Sequence, residues 1–278
     1  MLNEQKVAFL GAGSMAEAMI SGMVSAKKLS PHHIIATNKS NEDRLTELRE
    51  KYGITAISRD ELVYEDVDVF ILAMKPKDAD AVLADLKDKI NPNQLVMSVL
   101  AGISTEFMEF RLHDNQPIIR VMPNTSSMMQ ESATAISTGQ HVGMDHVLTA
   151  KELLSCIGEV YVIEEEKMDI FTGIAGSGPA YFYYLMEHIE KAAAEEGMPP
   201  ELARQIGAQT ILGAAKMIMN RDETPSELRE NVTSPNGTTA AGLDALAENG
   251  GGRAIMAAVK GASSRSKEIS KQLEKVHA

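Results

Sequence analysis

The segment Lys6-Val7-Ala8-Phe9-Leu10-Gly11-Ala12-Gly13-Ser14-Met15-Ala16 constrains the fold of this chain more than any other. A short apolar run ends in G-x-G-x-x-A, and helical periodicity follows, with Met15, Met19, Gly22 and Met23 on one face. Gly11 suits a tight turn from strand to helix, Gly13 lets backbone approach a diphosphate, and Ala16 is small enough for close helix–strand packing. A diphosphate would rest on the positive end of that helix, around Gly13, Ser14 and Met15. A glycine-rich structural turn can carry the same letters. The strand–turn–helix context is what gives the motif its weight.

The first part of the chain repeats that grammar. Short β-rich runs alternate with helical stretches, the pattern of βαβ units and a parallel sheet. Strands are expected near Val7–Leu10, Ile34–Thr37, Thr55–Ile57, Val67–Leu72, Leu95–Val99, Ile118–Val121, Thr134–Ile136 and Val160–Ile163, with helices such as Asn41–Tyr52 and Lys77–Ile90 between the early ones. From Lys167 onward the β-branched runs stop, and the sequence is rich in Ala, Met, Leu and Glu. Thr224-Pro225-Ser226-Glu227 is a helix start, with an N-cap Thr, Pro at the first helical position and Glu at the third. The expected architecture is α/β: a Rossmann-type doubly wound sheet over residues 1–165, then an all-α domain over residues 166–278. The stretch Ile211–Met219 is almost uninterrupted in apolar character and must be buried on most sides. Small residues around it (Gly207, Ala208, Gly213, Ala214, Ala215) allow close helix approach, so a homo-oligomer built through this domain is expected, with a compact monomeric bundle as the alternative.

Composition narrows the partners. A formal net charge of -12 disfavours nucleic acid and anionic membranes, both of which need basic patches. The single cysteine, Cys156, excludes an internal disulfide framework and suits a reducing cytosol. No stretch is long and apolar enough to span a bilayer, and residues 1–10 lead into a strand rather than a cleaved signal, so a cytoplasmic protein is expected. The seven histidines are scattered and form no metal motif.

In a doubly wound sheet, ligands bind beyond the carboxyl ends of the strands. After the second strand stand Asn38, Lys39 and Ser40, where an NAD-preferring site usually offers Asp or Glu to the ribose. An amide, a cation and a hydroxyl suit a 2′-phosphate and favour NADPH, although Ser40 or Asn41 also suits the cap of the next helix. After the fourth strand come Ala73, Met74, Lys75 and Pro76; Pro76 keeps Lys75 extended and leaves the backbone open to the cofactor's ribose and nicotinamide end. Ala101 and Gly102 follow the next strand, and Asn124 with Thr125 follows Arg120-Val121-Met122-Pro123, where an amide can meet a nicotinamide carboxamide or simply form a turn.

Late in the chain, Asn231-Val232-Thr233-Ser234-Pro235-Asn236-Gly237-Thr238-Thr239 opens a helix with hydroxyls, a glycine turn and no basic residue. Gly237 and Thr238 would leave N–H groups unpaired at the positive end of that helix, a site for a small carboxylate without Lys or Arg. The Thr239 hydroxyl could then bond a group beside that carboxylate. The same string also suits an ordinary turn with an N-cap Thr. Gly176-Ser177-Gly178-Pro179-Ala180-Tyr181 opens the helical half; its spacing is not that of a hydrolase elbow.

With these stretches in this order, the chain resembles pyrroline-5-carboxylate reductase over essentially its whole length. The resemblance implies reduction of 1-pyrroline-5-carboxylate to L-proline, the last step of proline biosynthesis, by NADPH, with NADH also admissible. It further implies an interlocked helical dimerisation domain. By motif, Ser234, Gly237 and Thr238 match carboxylate-binding positions, and Thr239 matches the catalytic hydroxyl bonded to the ring nitrogen. Glu165 matches an acidic residue beside the substrate, and Asn231 an amide near the cofactor. Asn236 stands where many relatives have Gly, which Asn tolerates. Asp60 stands where relatives often present Asn to the adenosine ribose, and a carboxylate there opposes a 2′-phosphate. Two rivals fare less well: a related two-domain dehydrogenase acting on a 3-hydroxy acid or another imine, whose usual Lys is missing from Gly173–Tyr184 of this chain, and a non-catalytic NADP-binding regulator, against which intact Ser234, Gly237 and Thr239 argue.

Overall fold

Eight strands form one sheet in the order β3-β2-β1-β4-β5-β6-β7-β8. They are β1 (Val7–Leu10), β2 (Ile34–Asn38), β3 (Thr55–Ser58), β4 (Val69–Leu72), β5 (Leu95–Ser98), β6 (Ile118–Met122), β7 (Ser132–Thr138) and β8 (Gly158–Val162). The structure, a computed structural model, describes residues 4–276, so the outermost ends of the two expected domains lie outside the described residues. All eight expected strands are present. The sheet is not wholly parallel, however: β7 runs antiparallel to β6, pairing Val121 with Ile136 and Met122 with Ala135. Residues 123–131 are too short for a helical crossover, so the chain must turn back on itself there.

Side chains alternate across the strands and divide the core into two layers. Val7 and Phe9 of β1 point to one face, packing with Met19, Ile20 and Met23 of α1 (Ser14–Ser25) and Leu45 and Leu48 of α2 (Glu42–Tyr52). Ala8 and Leu10 point to the other, with Leu83 and Leu86 of α3 (Ala79–Lys87) and Phe107 and Met108 of α4 (Thr105–Arg111). Each such fully buried large side chain stabilises the fold by about 1.5–3 kcal/mol. Leu153 and Leu154 of α5 (Met144–Leu154) complete the first layer. A short α6 (Met168–Phe171) then runs into a π-helical turn, Thr172–Gly176.

The helical half contains α7 (Gly178–Glu195), α8 (Pro200–Asn220), α9 (Pro225–Asn231), α10 (Thr238–Glu248) and α11 (Gly251–Val276). By compactness the chain divides into two units. One comprises residues up to Ser177 together with the chain from Gly261 onward, and the other comprises Gly178–Lys260. The change of texture near residue 165 and this division therefore fall at different points. Met168 is buried in the sheet unit, and Ser266 of α11 donates to Asp169 Oδ1 at 2.7 Å, which ties the end of α11 to that unit.

Within the second unit α7 packs against α8. Gly207 sits under Met186, where a Cβ would lie 2.5 Å from Cε, and Arg204 of α8 forms two hydrogen bonds to Glu190 of α7, at 2.7 and 3.0 Å. Beyond this the unit has almost no interior: only Gly178, Ala203 and Gly207 are buried. Within one chain, Leu212, Met217, Ile218 and Met219 of the apolar stretch on α8 are exposed. No helix among the described residues is long and apolar enough to cross a membrane.

Candidate active site

The carboxyl end of β1 runs into Gly11, whose N–H donates to Thr37 O at 3.1 Å on β2. Gly11 has φ +120°, and a Cβ there would lie 2.6 Å from the carbonyl oxygen of Ala73, so neither the backbone nor the space admits a side chain. Ala73 N–H in turn donates to Leu10 O at 3.0 Å. Gly13 differs in both respects. It is extended, at φ -77° and ψ -177°, and a Cβ on it would meet nothing within 4 Å. As N-cap of α1 it provides no side-chain hydrogen bond, so the first amides of that helix, Ser14 and Met15 among them, are left for a ligand. Open space over uncapped amides fits the diphosphate of a dinucleotide.

Around this turn the other expected residues fall along the same sheet edge. The Asn38 side chain accepts from Ser40 N–H at 3.2 Å, while Lys39 and Ser40 are exposed. The cap of α2 falls to Asn41, whose Oδ1 accepts from Arg44 N–H at 3.0 Å, which leaves the Ser40 hydroxyl available. Asp60 is exposed in a 3-10 turn, Arg59–Glu61, directly after β3. Lys75 is extended at φ -74° and ψ 139°, as the following Pro76 requires, and Met74 is half-buried. After β5, Ala101 is exposed but Gly102 is buried beneath α11, with Leu273 Cδ1 only 3.0 Å from where its Cβ would be. Contact at that turn is therefore left to the Ala101 side chain and the backbone.

Two expected residues are more deeply engaged with the protein than their motifs suggest. Asn124 is buried, accepting from Ser126 N–H at 2.9 Å and donating through Nδ2 to Ala175 O at 3.1 Å. Glu165 accepts from Thr105 N–H at 2.9 Å and from the Thr105 hydroxyl, at the start of α4, and forms an ion pair of 3.1 Å with the buried Arg120. It thus serves as an anion at a helix N-terminus. Nothing local to Glu165 signals this; Arg120 and Thr105 lie far away in sequence. A concavity of about 650 Å³ beside α5 and β8, lined by Gln5, Leu148 and Glu159 among others, holds none of the expected residues.

One charged cluster went unsignalled by the motifs. Arg44 of α2 donates from Nε to Ala12 O at 3.0 Å, inside the glycine turn, and its two terminal nitrogens reach Glu47 and Glu17. Glu17 also accepts from Lys51 and from the Tyr52 hydroxyl, each at 2.9 Å. These donors, Arg44 foremost, hold the Glu17 carboxyl down to about 2, and Glu17 raises Arg44 and takes Lys51 up to about 12.

The second unit carries the other set. Asn231 ends α9 and is exposed, and the Thr233 hydroxyl donates to Arg229 O at 2.6 Å. Asn236 takes the left-handed conformation at φ 59°, as its chemistry allows. Gly237 is the extended N-cap of α10 and its N–H donates to Ser234 O at 3.0 Å. The expectation of a free Gly237 N–H is thus modified: the amides without a helical partner are those of Thr238, Thr239 and Ala240. No side chain caps α10, and Ser234, Thr238 and Thr239 are exposed. Ala240 was not singled out by its side chain, since only its backbone contributes.

An uncapped glycine turn at the β1–α1 junction of a doubly wound sheet, followed by a helical unit, is the arrangement of a two-unit dinucleotide-binding protein. The chain matches the family model "NADP oxidoreductase coenzyme F420-dependent" over residues 6–102 and "Pyrroline-5-carboxylate reductase dimerisation" over residues 165–269. It is 59% identical to pyrroline-5-carboxylate reductase 1 of Bacillus subtilis (strain 168), across 100% of this chain and 94% of the relative. A solved pyrroline-5-carboxylate reductase from Coxiella burnetii superposes with a TM-score of 0.89 at 31% identity, covering 96% of this chain and 99% of that one. The Plasmodium falciparum pyrroline carboxylate reductase, solved with NADP bound, gives 0.86 at 27%, covering 97% and 100%. This chain belongs to the pyrroline-5-carboxylate reductase family.

Proposed function

We propose that the chain reduces 1-pyrroline-5-carboxylate to L-proline at the end of proline biosynthesis, with NADPH as preferred donor. The observation that carries the reading is the N-terminus of α10. The three amides of Thr238, Thr239 and Ala240 are unpartnered at a helix start that also carries the Ser234 and Thr239 hydroxyls, with no Lys or Arg anywhere in the Asn231–Thr239 string. Such a site accepts a small carboxylate through main-chain donors and leaves a hydroxyl beside it for a ring nitrogen. Ser234, Gly237 and Thr238 take the carboxylate, with Gly237 acting as the turn that exposes the following amides. Thr239 bonds the ring nitrogen, and Glu165 and Asn231 complete the substrate and cofactor surroundings.

The bound nicotinamide supplies the hydride. The chain's own contribution is to position and to stabilise. A cyclic iminium arrives protonated, so no strong acid is needed beside it, which agrees with the absence of Lys and His near Thr239 in sequence. Fixed amides hold the carboxylate, and the Thr239 hydroxyl orients the ring and accompanies the nitrogen as its charge is lost. The cofactor is held by Gly11, Gly13, Ser14 and Met15 at the diphosphate, and by Ala73, Met74, Lys75, Pro76, Ala101, Gly102 and Asn124 toward the nicotinamide. Asn38, Lys39 and Ser40 read the adenosine ribose. Lys39 and the amide and hydroxyl beside it support NADPH over NADH, and the exposed Asp60 works against it.

A second copy of the chain covers the helical unit, whose three buried residues make no core of their own. The functional boundary lies at residues 165/166, supported by the start of the dimerisation match. The enzyme works in the cytoplasm, in keeping with its one cysteine, whose thiol burial pushes up to about 12. The test is NADPH oxidation followed by absorbance with 1-pyrroline-5-carboxylate, repeated with NADH. Turnover with faster use of NADPH is expected. Nucleotide binding without oxidation would identify a regulator that kept the fold.

A further inference from the structure

The glycine turn is held from two sides. Toward the sheet, Ala73 closes over Gly11. On the other side the Ala12 carbonyl, between the two glycines, accepts from Arg44 Nε at 3.0 Å. Arg44 is the third residue of α2, with its own N–H anchored on Asn41. Its guanidinium also reaches Glu17 in the first turn of α1, and Glu47 one turn along α2 at 2.6 Å. A single side chain therefore joins the turn, α1 and α2. The Arg44 side chain is 17% exposed and that of Glu17 is 21%, so the pair is shielded more than an ordinary surface bridge.

An Arg beyond the second strand of such a sheet is often free to meet a 2′-phosphate. Here two carboxylates already balance its charge, and its Nε is committed to a main-chain carbonyl. A phosphate would have to compete with both carboxylates for the same rigid fork of donors. We propose that Arg44 is a positioning residue: through Ala12 and Glu17 it holds the glycine turn and the start of α1 in the shape that receives the dinucleotide's diphosphate, and it takes no part in reading the ribose 2′ position. The proposal rests on the dinucleotide reading of this turn and is independent of the substrate's identity.

The test titrates the full-length chain with NADPH and NADH separately, by nucleotide fluorescence and without substrate. Arg44→Met is expected to raise both dissociation constants by a common factor, on the order of tenfold, leaving their ratio unchanged. Arg44→Lys, with one donor group where three were used, falls between the variant and the wild type. Turnover at saturating nucleotide stays at the wild-type value, because the turn is restored once filled. Glu17→Gln, which keeps volume and most of the fold, is expected to weaken both nucleotides by a smaller common factor. Loss confined to NADPH overturns the proposal by making Arg44 a phosphate reader, and unchanged affinity for both in either variant overturns it as well. A wild-type chain that binds neither nucleotide overturns the dinucleotide reading itself, whereas normal wild-type binding with indifferent variants sinks only this proposal.

Discussion

Gly11 and Gly13 stand two residues apart in one turn, yet alanine at the two positions should fail in opposite ways. At Gly13 the backbone is extended and a Cβ meets nothing within 4 Å, so the folded chain accepts it without strain. Alanine is a poorer N-cap than glycine by about 0.5–1 kcal/mol, and the stiffer unfolded chain returns about 0.4–1 kcal/mol. The net effect on stability is near zero, and Tm should move by no more than about 2 °C. The new methyl instead enters the space over the uncapped amides of α1. Losing one hydrogen bond to a charged phosphate costs about 1.5–3 kcal/mol, which weakens Kd by roughly tenfold to a hundredfold or more. At Gly11 the same methyl meets the Ala73 carbonyl at 2.6 Å in a backbone with φ +120°. Conformational strain and overpacking together cost about 2–5 kcal/mol, or roughly 4–20 °C in Tm. Thermal unfolding followed by circular dichroism, alongside NADPH titration of each folded variant, measures both effects. A Gly13→Ala chain that binds NADPH as tightly as wild type, or that unfolds as early as Gly11→Ala, would refute the reasoning.

Thr239→Ala should lower kcat about tenfold, the loss of about 1.4 kcal/mol of transition-state stabilisation, with Tm unaltered because the side chain is exposed; steady-state kinetics at saturating substrate check this. The Glu17 carboxyl sits near 2 in the folded chain against an ordinary 4.5, so its stabilisation is complete above about pH 5 and drains away as pH falls toward 2. At about 1.36 kcal/mol per pH unit the ceiling is about 3 kcal/mol. Urea midpoints at pH 7 and pH 3 should therefore differ less for Glu17→Gln than for wild type, and equal differences would count against the cluster. Ile218→Asp on the exposed face of α8 should weaken self-association by at least about a hundredfold, since an unpaired carboxylate would be buried under the second copy. Light scattering reads the mass, and an unchanged oligomer would remove α8 from the contact.

Which parts of this protein could be read directly from its letters follows from how local their causes are. The eight strands are short β-rich runs set off by turn residues, and such a run of four to seven residues needs no distant partner to be recognised. Gly11, Gly13 and the α10 start declare themselves in the same way, because turn geometry and helix capping depend on neighbours in sequence. What tertiary structure alone decided involves groups far apart along the chain. The capture of Glu165 by Arg120 and Thr105, the burial of Gly102 under Leu273 and the reach of Arg44 to Ala12 each join separate segments. A hydrogen bond or packing contact of that kind is set by where the sheet's edges and helices come to rest, and a one-dimensional pattern carries no signal of it. Even the exposed amides of α10 divide along this line: the motif marks the helix end, but only the folded turn, with Gly237 already bonded to Ser234, leaves Thr238, Thr239 and Ala240 as the donors.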